Sequence, residues 1–512
     1  MSDDCPVAPI PPFPDGYRAA GILMHITSLA SPHGIGDFGP SAIQWIDLLH
    51  DAGQSWWQVL PLGPTGDGNS PYLPLSSFAM NEVLVSPEWL LEDGLISADD
   101  CQTSWPDAKV DFDNVNPYKY RLLETAWDRY RAAPSAELSE EFEAFKLAEG
   151  HWLDDYTLFR ALKNQFQGDY YMQWPAELAE RKPEALLKAR TELAEQCEKF
   201  AFFQYLLHRY GMRVRNHAQA KGVRLIGDVP IYVSADSSDV WANPELFSLD
   251  EHKRPKFVAG VPPDYFSAVG QLWGNPVYNW EAHRQTGYRW FIQRFRSLLT
   301  YADAIRLDHF RGFAAAWHVA ADAKTAEVGY WAPGPGAELF EAIKAALGNL
   351  PFIVEDLGTI TEDVWELRDQ FDMPGTRVVQ FAFDGDPDNL YLPKNYVANT
   401  TVYTGTHDNA TSRQWYEELP EESRETVWQS LNMPVVPEDE VAWALLQAAW
   451  QSIAALAIAP LQDVLNLGSD SRMNVPGESD GNWDWRCPSD LLSSPYFSTL
   501  AQITKDTGRW PE

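Results

Sequence analysis

The sequence contains little cysteine and little positive charge, and each shortage narrows the kinds of protein that it can encode. Its four cysteines, Cys5, Cys101, Cys197 and Cys487, lie far apart and form no C-x-x-C pair, which argues against a zinc knuckle and for a reducing compartment. Lysine and arginine number 39 against 73 aspartates and glutamates, a formal net charge of -34. Because nucleic acids and anionic membranes are bound mainly through Lys and Arg on phosphates, we expect neither as a partner.

Long apolar runs are also missing. The N-terminal stretch MSDDCPVAPIPPFPDG is acidic and Pro-rich, with neither the basic region nor the apolar core of a signal peptide. The most apolar late segment, residues 444–461, is interrupted by Gln447, Gln451, Ser452 and Pro460, and it is typical of a buried helix that runs into a strand rather than of a membrane span. We therefore expect a cytoplasmic protein.

Aromatic residues, in contrast, are abundant. The chain is 45% hydrophobic and contains 22 tryptophans, which is ample for a large core, and most of these rings are expected in that core. The faces of the remaining rings suit sugars, because sugar rings present apolar C–H patches between polar hydroxyls. Together with the negative charge, this composition favours a neutral ligand, and carbohydrate is the class that fits.

Strand and helix patterns alternate along the chain. Short apolar segments predict strands, and amphipathic stretches between them predict helices, the first with Ser41 as a good N-cap. The predicted strands are residues 20–26, 55–62, 223–233, 302–307, 352–356, 377–383, 400–408 and 455–465, and helices are predicted at about 41–53, 198–220, 284–299, 337–347 and 362–370. This alternation predicts an α/β fold, a (β/α)8 TIM barrel spanning residues 1–512 as one catalytic unit, whose active site lies at the carboxyl ends of the strands.

Two segments interrupt the alternation. Residues 82–195 are charged, helical in period and poor in β-branched runs, so they predict a helical insertion after the second strand. Residues 234–283 are rich in Pro, Gly and aromatics. Ordered loops of that length are usually functional, and we expect this loop-rich insertion after the third strand to form part of the substrate groove.

A doubly wound sheet is the alternative architecture. It would place a Gly-rich phosphate loop directly after the first strand, and Gly34, Gly36 and Gly39 offer a superficial G-x-G-x-x-G spacing. These glycines, however, lie eight or more residues beyond the predicted strand, and Pro40 follows them. A dinucleotide site is therefore disfavoured.

Three of the predicted strands end in acids, and the chain is organised around them. They are ADAIRLDHFRGF (302–313) with Arg306 and Asp308, FIVEDLG (352–358) with Glu355, and TVYTGTHDN (401–409) with Asp408. Strand side chains alternate, so Arg306 and Asp308 should point the same way, and the guanidinium should hold the carboxylate ionised. A single Arg-x-Asp is more often a structural ion pair, but packing alone does not readily explain three acids at three strand ends.

Carboxylates grouped at one barrel mouth suit retaining glycoside transfer. This chemistry needs an ionised acid as nucleophile and a protonated acid about 5 to 5.5 Å away that serves the leaving and incoming oxygens. Asp308 beside Arg306 fits the first role, and Glu355 fits the second because its apolar strand context should raise its pKa. Asp408, preceded by His407, would bind sugar hydroxyls and favour the cationic transition state.

A divalent metal site is the alternative use of these acids. The segment TGTHDN could supply His and Asp ligands, but no H-x-H, H-E-x-x-H or clustered aspartates accompany it, so metal catalysis is disfavoured. We expect neither a metal nor a cofactor.

The acid-bearing motifs are also recognisable as a set. IRLDHFRGF, IVEDLG and TGTHDN, in this order and spacing, resemble the 4-α-glucanotransferases, also called amylomaltases or disproportionating enzymes, family 77 of the glycoside hydrolases. The resemblance continues through GPTGDGNSPY, GDVPIYV, PPDYFSAVGQLWGNP, GTRVVQFAF and RMNVPG…GNWDWR, from about residue 18 to 490. Each motif alone is moderately specific, and together they are very specific. The resemblance implies a barrel without a C-terminal β-sandwich.

The resemblance also implies roles for particular residues. Asp308 would be the nucleophile, Glu355 the acid/base and Asp408 the transition-state stabiliser, acting on maltooligosaccharides and on glucans derived from starch or glycogen. A second set would bind substrate: Arg306 and His407 at the cleavage point, Tyr72 stacked on the sugar, Asp228 nearby, Asn474 in the RMNVPG motif, and Tyr265, Phe266, Gln271 and Trp273 on a lid that shields the glucan from water.

Three positions depart from the family pattern. Asp67 stands where an aromatic is usual, Ala268 where Glu is frequent, and Ala410 where an acid usually follows the THDN motif. None is one of the three acids, but they could change chain-length preference or the balance between transfer and hydrolysis. The alternatives to a transferase are a mainly hydrolytic glucosidase or amylase and a non-catalytic glucan-binding barrel. The second is disfavoured because non-catalytic relatives lose an acid, whereas all three are present here.

Overall fold

The computed structural model describes residues 9–101, 104–263, 267–478 and 480–511. Over these residues the strands are β1 (Ala19–Leu23), β2 (Trp56–Gln58), β3 (Arg224–Val229), β4 (Phe257–Val261), β5 (Gln271–Pro276), β6 (Ala304–Leu307), β7 (Ala315–Ala320), β8 (Gly329–Pro333), β9 (Phe352–Val354), β10 (Gly375–Val378), β11 (Thr400–Tyr403) and β12 (Leu456–Pro460).

The α-helices of the same part of the chain are α1 (Pro40–Asp51), α2 (Pro87–Glu92), α3 (Phe112–Ala132), α4 (Ala136–Gln165), α5 (Ala176–Ala179), α6 (Pro183–Glu192), α7 (Ala194–Ala220), α8 (Ser238–Ala242), α9 (Trp280–Gln285), α10 (Arg289–Leu299), α11 (Arg311–Ala314), α12 (Ala337–Leu347), α13 (Glu362–Gln370), α14 (Ser412–Glu418), α15 (Glu421–Leu431), α16 (Val441–Gln451), α17 (Leu461–Val464) and α18 (Tyr496–Asp506). None of these helices is long and apolar enough to cross a membrane.

Eight of the described strands close into a parallel barrel, which confirms the predicted fold class. Their order around the barrel is β1-β12-β11-β10-β9-β6-β3-β2, so each strand pairs with the barrel strands before and after it in the chain. Parallel strands enclosed by helices are buried on both faces, and β1, β2, β6, β9, β11 and β12 are buried at every position. All the carboxyl ends of these strands therefore meet at one mouth.

The core is built from large rings and close backbone approaches. Trp56 and Trp57 of β2 are fully buried, as are Trp45 and Trp450 on helices outside the barrel, so many of the tryptophans serve packing as expected. Gly21 of β1 has no room for a side chain, because a Cβ there would lie 2.5 Å from the carbonyl oxygen of Trp56. The contact between β1 and β2 therefore requires glycine.

Several predicted elements were too long. The segment 400–408 ends as a strand at Tyr403, since Asn409 Oδ1 accepts hydrogen bonds from the backbone N–H of Thr406 at 2.9 Å and from its Oγ1 at 2.8 Å. Such local bonds compete with the strand ladder. Asp408 consequently lies in a loop, not at a strand end.

The other shortened elements end for similar local reasons. The predicted strand 455–465 becomes β12 and then α17, which begins after Pro460, and 377–383 becomes β10 followed by a 3-10 turn (Val379–Phe381). The predicted helix 284–299 is two helices, α9 and α10, because Gly287 and Tyr288 between them have φ of 62° and 56°. A residue in this left-handed region ends a helix.

A second sheet beside the barrel was not predicted. It is antiparallel where its strands pair, has the order β5-β4-β7-β8, and draws β4 and β5 from the segment predicted to be loop-rich. Strand β7 begins directly after α11, which itself follows Asp308 by three residues. The sheet is thereby joined to the mouth of the barrel.

Arg509 ties the opposite end of the barrel together. Its guanidinium is fully buried and donates to the carbonyl oxygens of Ala19, Trp450, Ser452 and Ala454 at 2.7–2.9 Å. These carbonyls flank the starts of β1 and β12. Burial, together with the charge of Arg18, lowers the pKa of Arg509 to about 9.

We expect Arg509→Met to destabilise the fold strongly. Arg18 also donates to Trp450 O and Ser452 O, so the substitution removes the side-chain donor mainly from Ala19 O and Ala454 O. At about 1–3 kcal/mol for each buried carbonyl left without a donor, the free energy of unfolding should fall by about 2–6 kcal/mol, measured by urea denaturation. Arg296→Met is the matched control, because Arg296 is exposed and makes one long bond of 3.4 Å to Ala346 O. Equal losses from the two substitutions would contradict this prediction.

Candidate active site

Loops and strand ends from most of the barrel contribute side chains to its mouth. Asp308 and Glu355 come one residue after β6 and β9, and Asp228 lies within β3. Asp228 and Arg306 are register partners across the β3–β6 pair, and Glu355 N donates to Leu307 O at 3.0 Å. The neighbouring strands β3, β6 and β9 therefore bring these residues together.

Arg306 joins two carboxylates. Its Nη1 donates to Asp228 Oδ2 at 2.7 Å and to Asp308 Oδ1 at 2.9 Å, and the residue is 5% exposed. The expected contact between Arg306 and Asp308 is thus present. Burial alone would lower the pKa of Arg306, but Asp228 and Asp308 raise it well above its usual range, so the guanidinium stays charged.

Asp228 is the more deeply buried of the two acids. Burial raises its pKa, Arg306 opposes this shift, and Asp308 adds to it. Tyr72 donates its hydroxyl to Asp228 Oδ2 at 2.8 Å. Oδ1 of the same carboxylate is buried and has no hydrogen-bond partner among the described residues.

Glu355 has the electrostatics of an acid that gains and loses a proton near neutral pH. Its Oε2 accepts from the backbone N–H of His309 at 2.7 Å, and its Oε1 accepts from Leu357 at 3.0 Å. Burial and the charge of Asp308 nevertheless raise its pKa to about 7, although Arg306 and the two N–H groups lower it. The direction agrees with the sequence prediction, although Asp308 contributes to the shift as well as burial.

Asp408 is held from three sides. Asn474 Nδ2 donates to its Oδ1 at 2.6 Å, His407 Nε2 lies 3.4 Å from its Oδ2, and Arg472 donates to its backbone oxygen at 2.7 Å. Desolvation opposes ionisation, but His407 and Asn474 hold the pKa of Asp408 well below its usual range, while Asp408 raises the pKa of His407. The carboxylate is 46% exposed and so is open to a ligand.

Tyr72 contacts both His407 and Asp228. Its ring stacks on the imidazole of His407, with centroids 4.9 Å apart and planes at 15°, while its hydroxyl bonds Asp228. Trp483 packs obliquely against both rings, at 5.7 Å from Tyr72 and 6.0 Å from His407. The structure therefore places Tyr72 beside Asp228 and His407, and its stacking on a sugar stays a prediction.

The lid residues are partly described. Trp273 on β5 packs edge-on against His309 at 4.8 Å, and its Nε1 donates to Gln271 Oε1 at 3.2 Å. This ring thus lies next to the residue that follows Asp308. Tyr265 and Phe266 lie outside the described residues, and their assignment to the lid stays a prediction.

Some residues that shape the site were missed by sequence reasoning. Asp463 is buried and accepts from Thr404 Oγ1 at 2.5 Å and from N and Oγ of Ser412 at 2.7 Å, which fixes both ends of the loop that carries Asp408. His309 has a left-handed backbone with φ of 49°. The role of Asp463 is not readable from local patterns, because its partners lie 51 to 59 residues away in the sequence. In the described part of the chain no group of three or more His, Cys, Asp or Glu is placed to hold a metal ion.

Three acids thus meet at the mouth of a closed parallel barrel. One is a carboxylate paired with an arginine, one is a carboxyl group with a pKa near neutrality, and the third is a carboxylate open to solvent. This arrangement defines the class of barrel enzymes that break and form glycosidic bonds. Residues 24–492 match the sequence model of glycoside hydrolase family 77, described as 4-alpha-glucanotransferase. The chain therefore belongs to this family, and it is an enzyme with 4-alpha-glucanotransferase activity.

Individual relatives agree over almost the whole chain. It is 47% identical to a 4-alpha-glucanotransferase from Synechocystis, over 96% of this chain and 98% of that protein. It is 43% identical to one from Thermus thermophilus, over 96% and 99%. Among solved structures, the amylomaltase from Streptococcus agalactiae in complex with acarbose superposes with a TM-score of 0.93 at 37% identity, covering 96% of this chain and all of that one. The resemblance inferred from the motifs is confirmed.

Proposed function

We propose that Asp308, Glu355 and Asp408 carry out glucan transfer by double displacement. The observation that carries this proposal is the contrast between two neighbouring acids: Asp308 is bonded to a buried, charged arginine, whereas the pKa of Glu355 is raised to about 7. A carboxylate paired with a buried arginine suits attack, and a carboxyl group that titrates near neutral pH suits proton transfer in both directions.

The first displacement forms a covalent intermediate. Arg306 contacts Asp308 Oδ1, and we assign the attack on the anomeric carbon of the donor to Oδ2. As the new C–O bond forms, the bond to the leaving glucan oxygen breaks and that oxygen takes the proton of Glu355. The products of this step are a glucosyl-Asp308 ester and a Glu355 carboxylate.

The second displacement transfers the glucan. Glu355, now ionised, accepts the proton of the 4-hydroxyl of an acceptor sugar, whose oxygen attacks the anomeric carbon and displaces Asp308. Asp408 stays ionised throughout because His407 and Asn474 stabilise its charge, so it can bind sugar hydroxyls as positive charge develops on the ring. The stereochemistry at the anomeric carbon is retained after two inversions.

The surrounding residues fit a role in binding neutral glucans. The binding set is Tyr72, Asp228, Tyr265, Phe266, Gln271, Trp273, Arg306, His407 and Asn474, and segment 234–283 contributes part of the groove. Maltooligosaccharides and glucans derived from starch or glycogen are the proposed substrates, supported by the amylomaltase from Streptococcus agalactiae in complex with acarbose. With a net charge of -34, neither nucleic acid nor membrane is a proposed partner, and a cytoplasmic location fits the composition.

Maltotriose as sole substrate tests the proposed function. A ladder of longer maltooligosaccharides together with free glucose is expected, because each transfer lengthens one chain and shortens another. Glucose and maltose without longer products would indicate hydrolysis, and unchanged maltotriose would indicate binding alone. Either of these two results would overturn the proposal.

Trp273 is expected to shield the covalent intermediate from water. Its ring packs on His309 beside the nucleophile and is only partly buried. Trp273→Ala should therefore admit water and raise the ratio of hydrolysis to transfer several-fold, with little change in melting temperature. Glucose release from maltotriose with and without excess acceptor measures the ratio. We expect the same of Phe266→Ala.

Trp443→Ala is the matched control for this lid substitution. Trp443 is also partly buried, but it stacks on Tyr496, from α18, away from the acids. Its removal should lower the melting temperature without changing the product ratio. If Trp273→Ala behaves like Trp443→Ala, the ring only packs and the shielding role is wrong.

A further inference from the structure

Arg311 is a buried cation that the proposed reaction does not use. It begins α11, three residues after Asp308, and it is 7% exposed. Within the described residues, no carboxylate lies within ion-pairing distance of its guanidinium, and its Nε has no hydrogen-bond partner. Burial lowers its pKa, and only the charge of Asp363 opposes this shift. Burying a charged guanidinium without a carboxylate partner is unfavourable, so other contacts must stabilise it.

Its hydrogen bonds lead to the loop that follows Glu355. Nη1 donates to Thr359 O at 2.9 Å and to Thr361 Oγ1 at 3.0 Å, and Thr361 donates its own hydroxyl proton to Asp363 in a further hydrogen bond. Thr361 is the residue before α13, yet its side chain does not cap that helix. The hydroxyl serves Arg311 and Asp363 instead.

The same two loops are also joined close to the catalytic carboxyl group. His309 N–H donates to Glu355 Oε2 at 2.7 Å, and Phe310 N–H donates to Glu355 O at 3.1 Å. Hydrogen bonds thus connect the loop after Asp308 to the loop after Glu355 at two places. The first is Glu355 itself, bonded by His309 and Phe310. The second is formed by Arg311, one or two residues further along the first loop.

The hydrogen bond from His309 N–H to Glu355 depends on an unfavourable backbone conformation of His309. His309 adopts φ of 49°, a left-handed conformation that is unfavourable for a non-glycine residue and persists only where its surroundings enforce it. This conformation directs the His309 N–H at Glu355. Arg311, two residues later, anchors the far side of the turn and can supply that enforcement.

Trp331 packs against the guanidinium of Arg311. Its ring lies 3.8 Å from the guanidinium carbon of Arg311, and it packs edge-on against Trp317 of β7 at 5.4 Å. A tryptophan face at this distance stabilises a cation that lacks a carboxylate partner. Strand β8, which carries Trp331, thereby connects the side sheet to the two catalytic loops.

We propose that Arg311 is a positioning residue: with Trp331 against its guanidinium, it ties the turn after Asp308 to the loop after Glu355 and so holds the His309 N–H on the acid/base carboxylate. The inference rests on the proposed roles of Asp308 and Glu355. It assigns no contact between Arg311 and substrate. Its effect is on the placement of Glu355 in both displacements.

Loss of this anchor should reduce turnover more than binding. Arg311→Met keeps the length of the side chain but removes its donors, and a displacement of about 1 Å at a reacting group costs about 100-fold in rate. We expect kcat for maltotriose to fall by about 10–100-fold, with KM changed less than about threefold. The first turnover of a glucosyl fluoride, measured as fluoride release, should fall less because that step needs no proton from Glu355.

The pH profile gives a readout that simple destabilisation would not change. The His309 N–H lowers the pKa of Glu355, so its loss should move the basic limb of kcat/KM to higher pH. Arg311→Lys, which can still donate to Thr359, should be intermediate in both rate and pH limb. Trp331→Leu should shift both in the same direction as Arg311→Met, and its exposed position, at 37%, favours a stable variant.

Arg509→Lys is the matched control, since Arg509 is also a buried arginine bonded to carbonyl oxygens but lies at the other end of the barrel. It should lower stability without moving the pH limb. If folded Arg311→Lys and Trp331→Leu both keep kcat within twofold of wild type and the same pH limb, the positioning role is wrong, even if Arg311→Met does not fold. A wild-type protein that forms no ladder from maltotriose would instead refute the proposed function.

Discussion

Asp308→Asn is expected to lower glucan transfer by several orders of magnitude while leaving the fold intact. The substitution keeps the size and hydrogen-bonding shape of the side chain but removes the charge that we propose attacks the anomeric carbon, so the covalent step should be lost. Initial rates of ladder formation from maltotriose measure the effect. Retention of more than a tenth of the activity would remove Asp308 from the nucleophile role.

The structure explains why the fold should tolerate this change. Arg306 donates to Asp228 as well as to Asp308, so neutralising Asp308 does not leave a buried cation without a carboxylate partner. The amide oxygen of the substituted side chain can also still accept the bond from Arg306. We expect the melting temperature to change little, and Asp386→Asn, at an exposed position on the loop after β10, should change neither stability nor activity.

The pairing of Asp308 with Arg306 and the raised pKa of Glu355 could be predicted because both depend on neighbouring residues in the sequence. Alternation along a strand places Arg306 and Asp308 on one face, and the apolar residues before Glu355 indicate burial and therefore a raised pKa. The closed barrel follows from the same reasoning, since eight apolar segments separated by helices have few other arrangements. These features depend on residues that are close in the sequence.

The remaining features of the site depend on contacts between distant segments. Tyr72 and Asp228 are 156 residues apart, and Asp408 and Asn474 are 66 apart. No periodicity relates such positions, and only the family resemblance suggested that they meet. The side sheet was missed because β4, β5 and β8 lie within Gly- and Pro-rich sequence, where turn signals outweigh strand signals. As a result, the position of Trp331 against Arg311 could not be anticipated.

Glu355→Gln is expected to affect two donors very differently. Glutamine cannot give a proton to the leaving oxygen, so transfer from maltotriose should fall by several orders of magnitude. A glucosyl fluoride has a leaving group that needs no such proton, so its first turnover, measured as fluoride release, should fall far less. Asp308→Asn supplies the contrast, since loss of the nucleophile should affect the first step with both donors equally.

The pH dependence should change with the same substitution. Because the pKa of Glu355 is about 7, the wild-type enzyme should lose kcat/KM for maltotriose as the pH rises through that value and the acid form disappears. Glutamine does not titrate, so Glu355→Gln should lack this basic limb. Equal losses on both donors, or a basic limb that persists in Glu355→Gln, would mean that another group serves as the acid/base. In that case the raised pKa of Glu355 would reflect only its burial next to Asp308.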